Sequence, residues 1–111
     1  MFKMQIQMDE EKILREDVIN LQKVYIALDE IFAENGLFKE GIAEDGTITY
    51  CGSESNKDFG RFTCVYMSLT GSNKDWFVPN CKKWLIGDNE EIPGVWDWDD
   101  ILEGMRKRGE L

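Results

Sequence analysis

The stretch RFTCVYMSL, residues 61–69, decides how the rest of the chain is read. Taken with a period of two, Phe62, Cys64 and Tyr66 fall on one side and Thr63, Val65, Met67 and Leu69 on the other. Neither side is consistently polar, so the segment reads as a strand needing cover on both faces. The other segments then read as strands extending that sheet or as helices covering it.

Upstream the pattern is helical. Leu14, Val18, Leu21, Tyr25, Leu28 and Phe32 recur at alternating four- and three-residue steps, and Ile13, Val24 and Ile31 widen the stripe. This predicts one long amphipathic helix, capped by Asp9, with Glu10 and Glu11 at its positive end and Asn35-Gly36 as its stop. The stripe reads as core, and pairing with a second copy into a homodimeric coiled coil is the competing reading. Residues 1–8 are poorly patterned and read as a frayed end or short extension.

Between this helix and residues 61–69, Asp45-Gly46 separates two β-prone runs, the signature of a hairpin with a primed turn. Strands are expected at 37–43 and 47–51. The loop GSESNKDFG, 52–60, lacks the GxxxxGK[ST] spacing of a phosphate cradle and reads as a flexible surface loop. With 61–69 these strands make a three-stranded antiparallel meander.

Downstream, TGSNK at 70–74 is a turn, and DWFVPNCKKWLIG at 75–87 is ambiguous. Alternation puts Asn80 and Lys82 beside Trp76, Val78, Trp84 and Ile86, which argues against a strand. A helix groups Phe77, Val78, Cys81, Trp84 and Leu85, with Pro79 in its tolerant first turn and Gly87 as its stop. After the acidic connector DNEEIPGV, Asp97 caps a last helix with Trp98, Ile101, Leu102 and Met105 as its stripe. Arg106, Lys107 and Arg108 sit at its negative end. The expected fold is therefore a single α+β domain over residues 1–111. It comprises a long N-terminal helix, a three-stranded antiparallel meander and two shorter helices packed on the sheet.

Composition narrows function more than it identifies it. A net charge of −9 repels a phosphate backbone and argues against direct nucleic-acid binding. Three widely spaced cysteines, with no CxxC and no histidine, do not form a disulfide framework or a Cys/His zinc site. They read as reduced, mostly buried thiols of a cytoplasmic protein. Neither a signal peptide nor an apolar run of about 20 residues is evident, so no membrane association is expected. The segment DNEEIPGVWDWDD lacks the D-x-[DN]-x-[DN]-G order of a calcium loop. Asp97 and Asp100 at a helix start would have lowered rather than raised pKa values, the wrong tendency for an acid catalyst. No catalytic residue, metal or cofactor is expected.

The charge is unevenly placed. Residues 9–34 carry a balance of −5, residues 35–87 balance to zero, and residues 88–105 hold seven acids and no base. Trp76, Trp84, Trp96 and Trp98 overlap that second acidic block. Trp84 and Trp98 read as core and Trp96 as the exposed one. Tryptophan beside carboxylates suits a basic protein surface. The candidate partner-binding residues are Asp88, Glu90, Glu91, Trp96, Asp97, Asp99 and Asp100. The leading expectation is a small cytoplasmic binding protein without catalysis, docking this surface on a basic protein partner, as an inhibitor or immunity-type protein would. The alternative is an assembly module that pairs through its first helix, and the third reading is an enzyme acting on a small molecule.

Overall fold

A computed structural model describes residues 1–111 and places 61–69 in a helix, Asp58–Leu69, not in a strand. The helical period explains the pattern better than alternation does. Phe62, Val65 and Leu69 recur at i, i+3 and i+7 and are fully buried, while Thr63, Cys64 and Met67 face water. Cys64 is accordingly exposed and Cys51 and Cys81 are half-buried, so the thiols are free but not mostly buried. β-branched and aromatic residues raised the strand reading, and packing against the rest of the core overrode it.

In chain order the elements are β1 (Phe2–Met8), α1 (Glu10–Glu16), α2 (Leu21–Glu34), β2 (Phe38–Ile42) and β3 (Ile48–Cys51). They continue with α3 (Asp58–Leu69), two 3-10 turns (Ser72–Lys74 and Val78–Asn80), β4 (Cys81–Asp88), β5 (Asp97–Asp100) and α4 (Ile101–Lys107). The five strands form one antiparallel sheet in the order β2-β3-β1-β4-β5. The α+β class holds, but the meander is replaced by a five-stranded sheet whose middle strand is the supposed frayed end.

β1 earns that place by alternation: Met4, Ile6 and Met8 are buried while Lys3, Gln5 and Gln7 are partly exposed. Its signal is faint in the sequence because methionine and glutamine are not strand-favouring types. Cross-strand partners share a face, so Met4 and Ile6 lie with Tyr50, Ile48, Ile86 and Trp84 on the covered side. Phe32 of α2 stacks on Tyr50 at 3.7 Å, and Tyr66 of α3 stacks on Trp84 at 5.4 Å. Phe77 meets the edge of Trp84 at 4.9 Å, and the Trp84 indole N–H points at the Met4 sulfur, 3.2 Å away. The helices thus cover one face of the sheet, and an 18-residue core fills the space between.

The long first helix is two helices. Asp17 ends α1 in the left-handed region (φ 51) and Asn20 restarts the chain by accepting a hydrogen bond from the Lys23 N–H. The break rotates the stripe: Val24, Leu28, Ile31 and Phe32 are buried, but Leu14 and Val18 are exposed. The 37–43 and 47–51 strands are present as β2 and β3, joined by residues 43–47, in which Gly46 alone is left-handed and its N–H donates to the Ala43 carbonyl. With no positive φ at Glu44 or Asp45, the turn closed by that hydrogen bond is not a primed turn.

The 52–60 loop is shorter and tighter than expected. Fully buried Asp58 accepts hydrogen bonds from the Ser55 N–H and the Arg61 guanidinium, and a Cβ at Gly52 would lie 2.3 Å from its carboxylate. The expected helix around 76–86 is β4, preceded by a 3-10 turn that takes Pro79. The alternation test misled because it included residues 76–80; from Cys81 onward the chain pairs with β1 along its length. Asp97 likewise begins β5, and the last helix starts one turn later, where Asp100 accepts from the Glu103 N–H at 3.0 Å. Leu102 and Met105 are buried as expected, and Arg106 and Lys107 occupy the last turn. No helix is long and apolar enough to cross a membrane.

Candidate interaction surface on the open face and acidic edge

Pairing register defines what the uncovered side of the sheet presents. One row runs Phe38, Cys51, Lys3, Gly87, Trp98 across β2, β3, β1, β4 and β5. The next runs Gly41, Thr49, Gln5, Leu85, Asp100 in the same strand order. Small and polar residues fill the middle, and aromatic rings rise at the two ends.

Gly87 is the residue that shapes the β5 end. A Cβ there would fall 2.5 Å from the Trp98 ring, so the indole can press against the strand only because the side chain is missing. Trp98 keeps 39% of its surface in water, while Trp96, two residues earlier on the same side of the strand, is half-buried. Their rings are 5.7 Å apart and inclined by 23°. The Lys3 ammonium sits 5.0 Å from the Trp96 ring and pairs with Glu40 at 2.9 Å, which ties the tryptophans to the centre of the sheet. Trp84 is core as expected; Trp98 is not, and it is more exposed than Trp96.

The seven candidate residues do come together, at the β5 edge and the connector that leads to it, but they divide by role. Asp88 accepts from the Glu90 N–H at 3.1 Å and fixes the turn; Glu90 pairs with the N-terminal ammonium at 2.6 Å; Asp100 caps α4. The carboxylates of Glu91, Asp97 and Asp99 make no hydrogen bond or ion pair within the chain and are exposed. Asp97 and Asp99 lie opposite Asp88 and Ile86, on the helix-side face of β5, whereas Trp98 and Asp100 lie on the open face. The edge strand therefore presents Trp98 with Asp100 on one face and Asp97 with Asp99 on the other.

Alongside β5 runs an open cleft of about 660 Å³, lined by Tyr66, Trp98, Asp99, Asp100, Glu103, Lys107 and Arg108 among others. Arg108 is paired to Glu110 at 3.0 Å, which offsets part of its charge. The lining sets aromatic walls and the carboxylates of Asp99, Asp100 and Glu103 beside the cations of Lys107 and Arg108. No group of three or more metal-ligating side chains is assembled anywhere in the chain. Sequence reasoning missed Lys3, Gln5, Thr49 and Gly87 as parts of this surface. The two-residue spacing of Trp96 and Trp98, and of Lys3, Gln5 and Gln7, is the signal that a strand reading would have used. Comparison with protein-family models, with curated proteins and with solved structures finds no match.

Proposed function

We propose that the protein is a small cytoplasmic binding module without catalysis of its own, which docks the β5 edge and its tryptophan pair on a basic protein partner. The observation that carries this reading is one edge strand that exposes Trp98 on the open face and the unpaired carboxylates of Asp97 and Asp99 on the other, with unpaired Glu91 in the connector before it. Three exposed carboxylates with no internal partner supply long-range attraction, and the aromatic ring supplies a desolvated anchor that slows departure. An inhibitor that shields a nucleic-acid-binding surface would need this combination. Pairing through the first helix has less support, because the break at 17–20 removes the continuous seam that it requires.

The test is capture of partners from source-cell lysate at low and at high salt. It compares the native chain with Glu91→Gln/Asp97→Asn/Asp99→Asn and with Trp98→Ala. Neutralising these three leaves the turn at Asp88 and the cap at Asp100 intact. Capture of a basic protein by the native chain at low salt, weakened at high salt and in both variants, supports the reading. Equal capture by all three chains at both salt levels overturns it.

A further inference from the structure

A second surface, built from the α1–α2 turn and Trp76, shares no residue with the β5 edge or the cleft beside it. Val18 and Ile19 form the turn between α1 and α2, and with Val24, Ala27 and Trp76 they line an open groove of about 500 Å³. A second hollow of about 250 Å³ shares Val18, Ile19 and Trp76 and continues to Ile13, so the two form one apolar trough. Val18 is 83% exposed, the most exposed large apolar side chain in the protein, and Leu14 on α1 is 65% exposed. The turn that holds Val18 out passes through Asp17 at φ 51, a conformation that a non-glycine residue adopts at a cost. Ile19 packs against the core, but Val18 does not, and a surface turn with no ligand to meet has no need of a fully presented β-branched apolar residue.

The rim says what would cover it. Glu16 and Asp75 line the trough and Asp17 adjoins it, and none of the three has an ion-pair partner in the chain. Lys23 is the one base among the lining residues. The net charge of −9 disfavours a second copy of the chain on this acidic rim. No strand borders the trough, since its walls come from residues 13–27 and 75–80, so an extended occupant would find no sheet edge to pair with. A helix, whose backbone hydrogen bonds are internal, needs only side-chain contacts from such a trough.

We propose that the trough between the α1–α2 turn and Trp76 is a docking groove for a short amphipathic helix with a basic polar face. Its apolar side chains fill the space over Val18, Ile19 and Trp76 while its lysines or arginines meet Glu16, Asp17 and Asp75. This site is separate from the β5 edge and does not depend on the function assigned there.

The test is titration of the isotope-labelled full chain, followed by backbone amide resonances, with a helical leucine–lysine peptide and with its leucine–glutamate counterpart. The expected result is saturable shifts at 13–27 and 74–80 with the lysine peptide and none with the glutamate peptide. Val18→Asp should weaken binding at least tenfold, and Asp97→Asn/Asp99→Asn should leave it unchanged. Because Val18 is exposed, its substitution leaves the core intact, which the unperturbed resonances of β1 will verify. Shifts confined to 88–100, binding of the glutamate peptide to the same extent, or no effect of Val18→Asp overturns the proposal. So does a dimer of the native chain that Val18→Asp dissolves, since the groove would then be covered by a second copy.

Discussion

Gly87 and Trp98 show how one missing side chain shapes the candidate surface. Gly87→Val would drive the indole off the strand, and overpacking of this kind costs about 1–3 kcal/mol. The expected outcome is a lower melting temperature together with loss of the near-ultraviolet signal of the stacked tryptophans. The candidate acids separate in the same way. Asp100→Ala removes the cap of α4 and should lower stability by about 1 kcal/mol, while Asp97→Asn and Asp99→Asn should stay within about 0.5 kcal/mol of the native chain. Denaturant melts of the three variants check both statements. The seven candidate residues fall within one short segment of the sequence, but the sequence could not say which of them the fold itself consumes. That depends on where a turn and a cap fall, a matter of one or two residues.

Titration at particular residues also ties stability to pH. Burial pushes the Cys81 thiol up to about 12 from its ordinary 9.0. Burial and a hydrogen bond to Asp29 raise the Tyr50 phenol, and burial with Glu10 alongside raises Tyr25. Each group holds its proton longer when folded, so the unfolded chain binds fewer protons once the pH passes the ordinary value. The stability is complete below about pH 9, is lost progressively as pH rises beyond it, and is not recovered on the alkaline side. Melting temperature measured from pH 7 to 11 should fall, and Tyr50→Phe should flatten that fall.

At the scale of elements, the hairpin and the buried face of α2 were legible because their signals are local: a turn dipeptide and a 3.6-residue stripe. β1, β4 and β5 were not, because each is specified by its neighbours. Residues 81–88 look helical alone and become a strand because β1 lies beside them along the whole length. Residues 61–69 fail in the opposite direction, since a run of β-prone residues forms α3 where Phe62, Val65 and Leu69 meet the core. The consequence can be tested directly. Deleting residues 1–8 removes the middle strand and three core residues, Met4, Ile6 and Met8. The truncated chain should show no cooperative unfolding transition by circular dichroism; a cooperative melt would contradict the strand order.

For the whole molecule, the division of labour follows from a sheet covered on one side only. Helices and core take one face and leave the open face uncovered, and the charge excess lies in residues 9–34 and 88–105 rather than in residues 35–87, which balance to zero. Electrostatic attraction at the β5 edge acts beyond contact distance and is screened within about 8 Å at physiological salt, so binding should slow as ionic strength rises. The most direct measurement is a hydrogen-exchange footprint of the native chain, free and bound to the basic protein that it captures at low salt. New protection centred on 88–100 is the result expected. Protection confined to other segments, with 88–100 exchanging as fast as in the free chain, would contradict the assignment of the β5 edge as the docking surface.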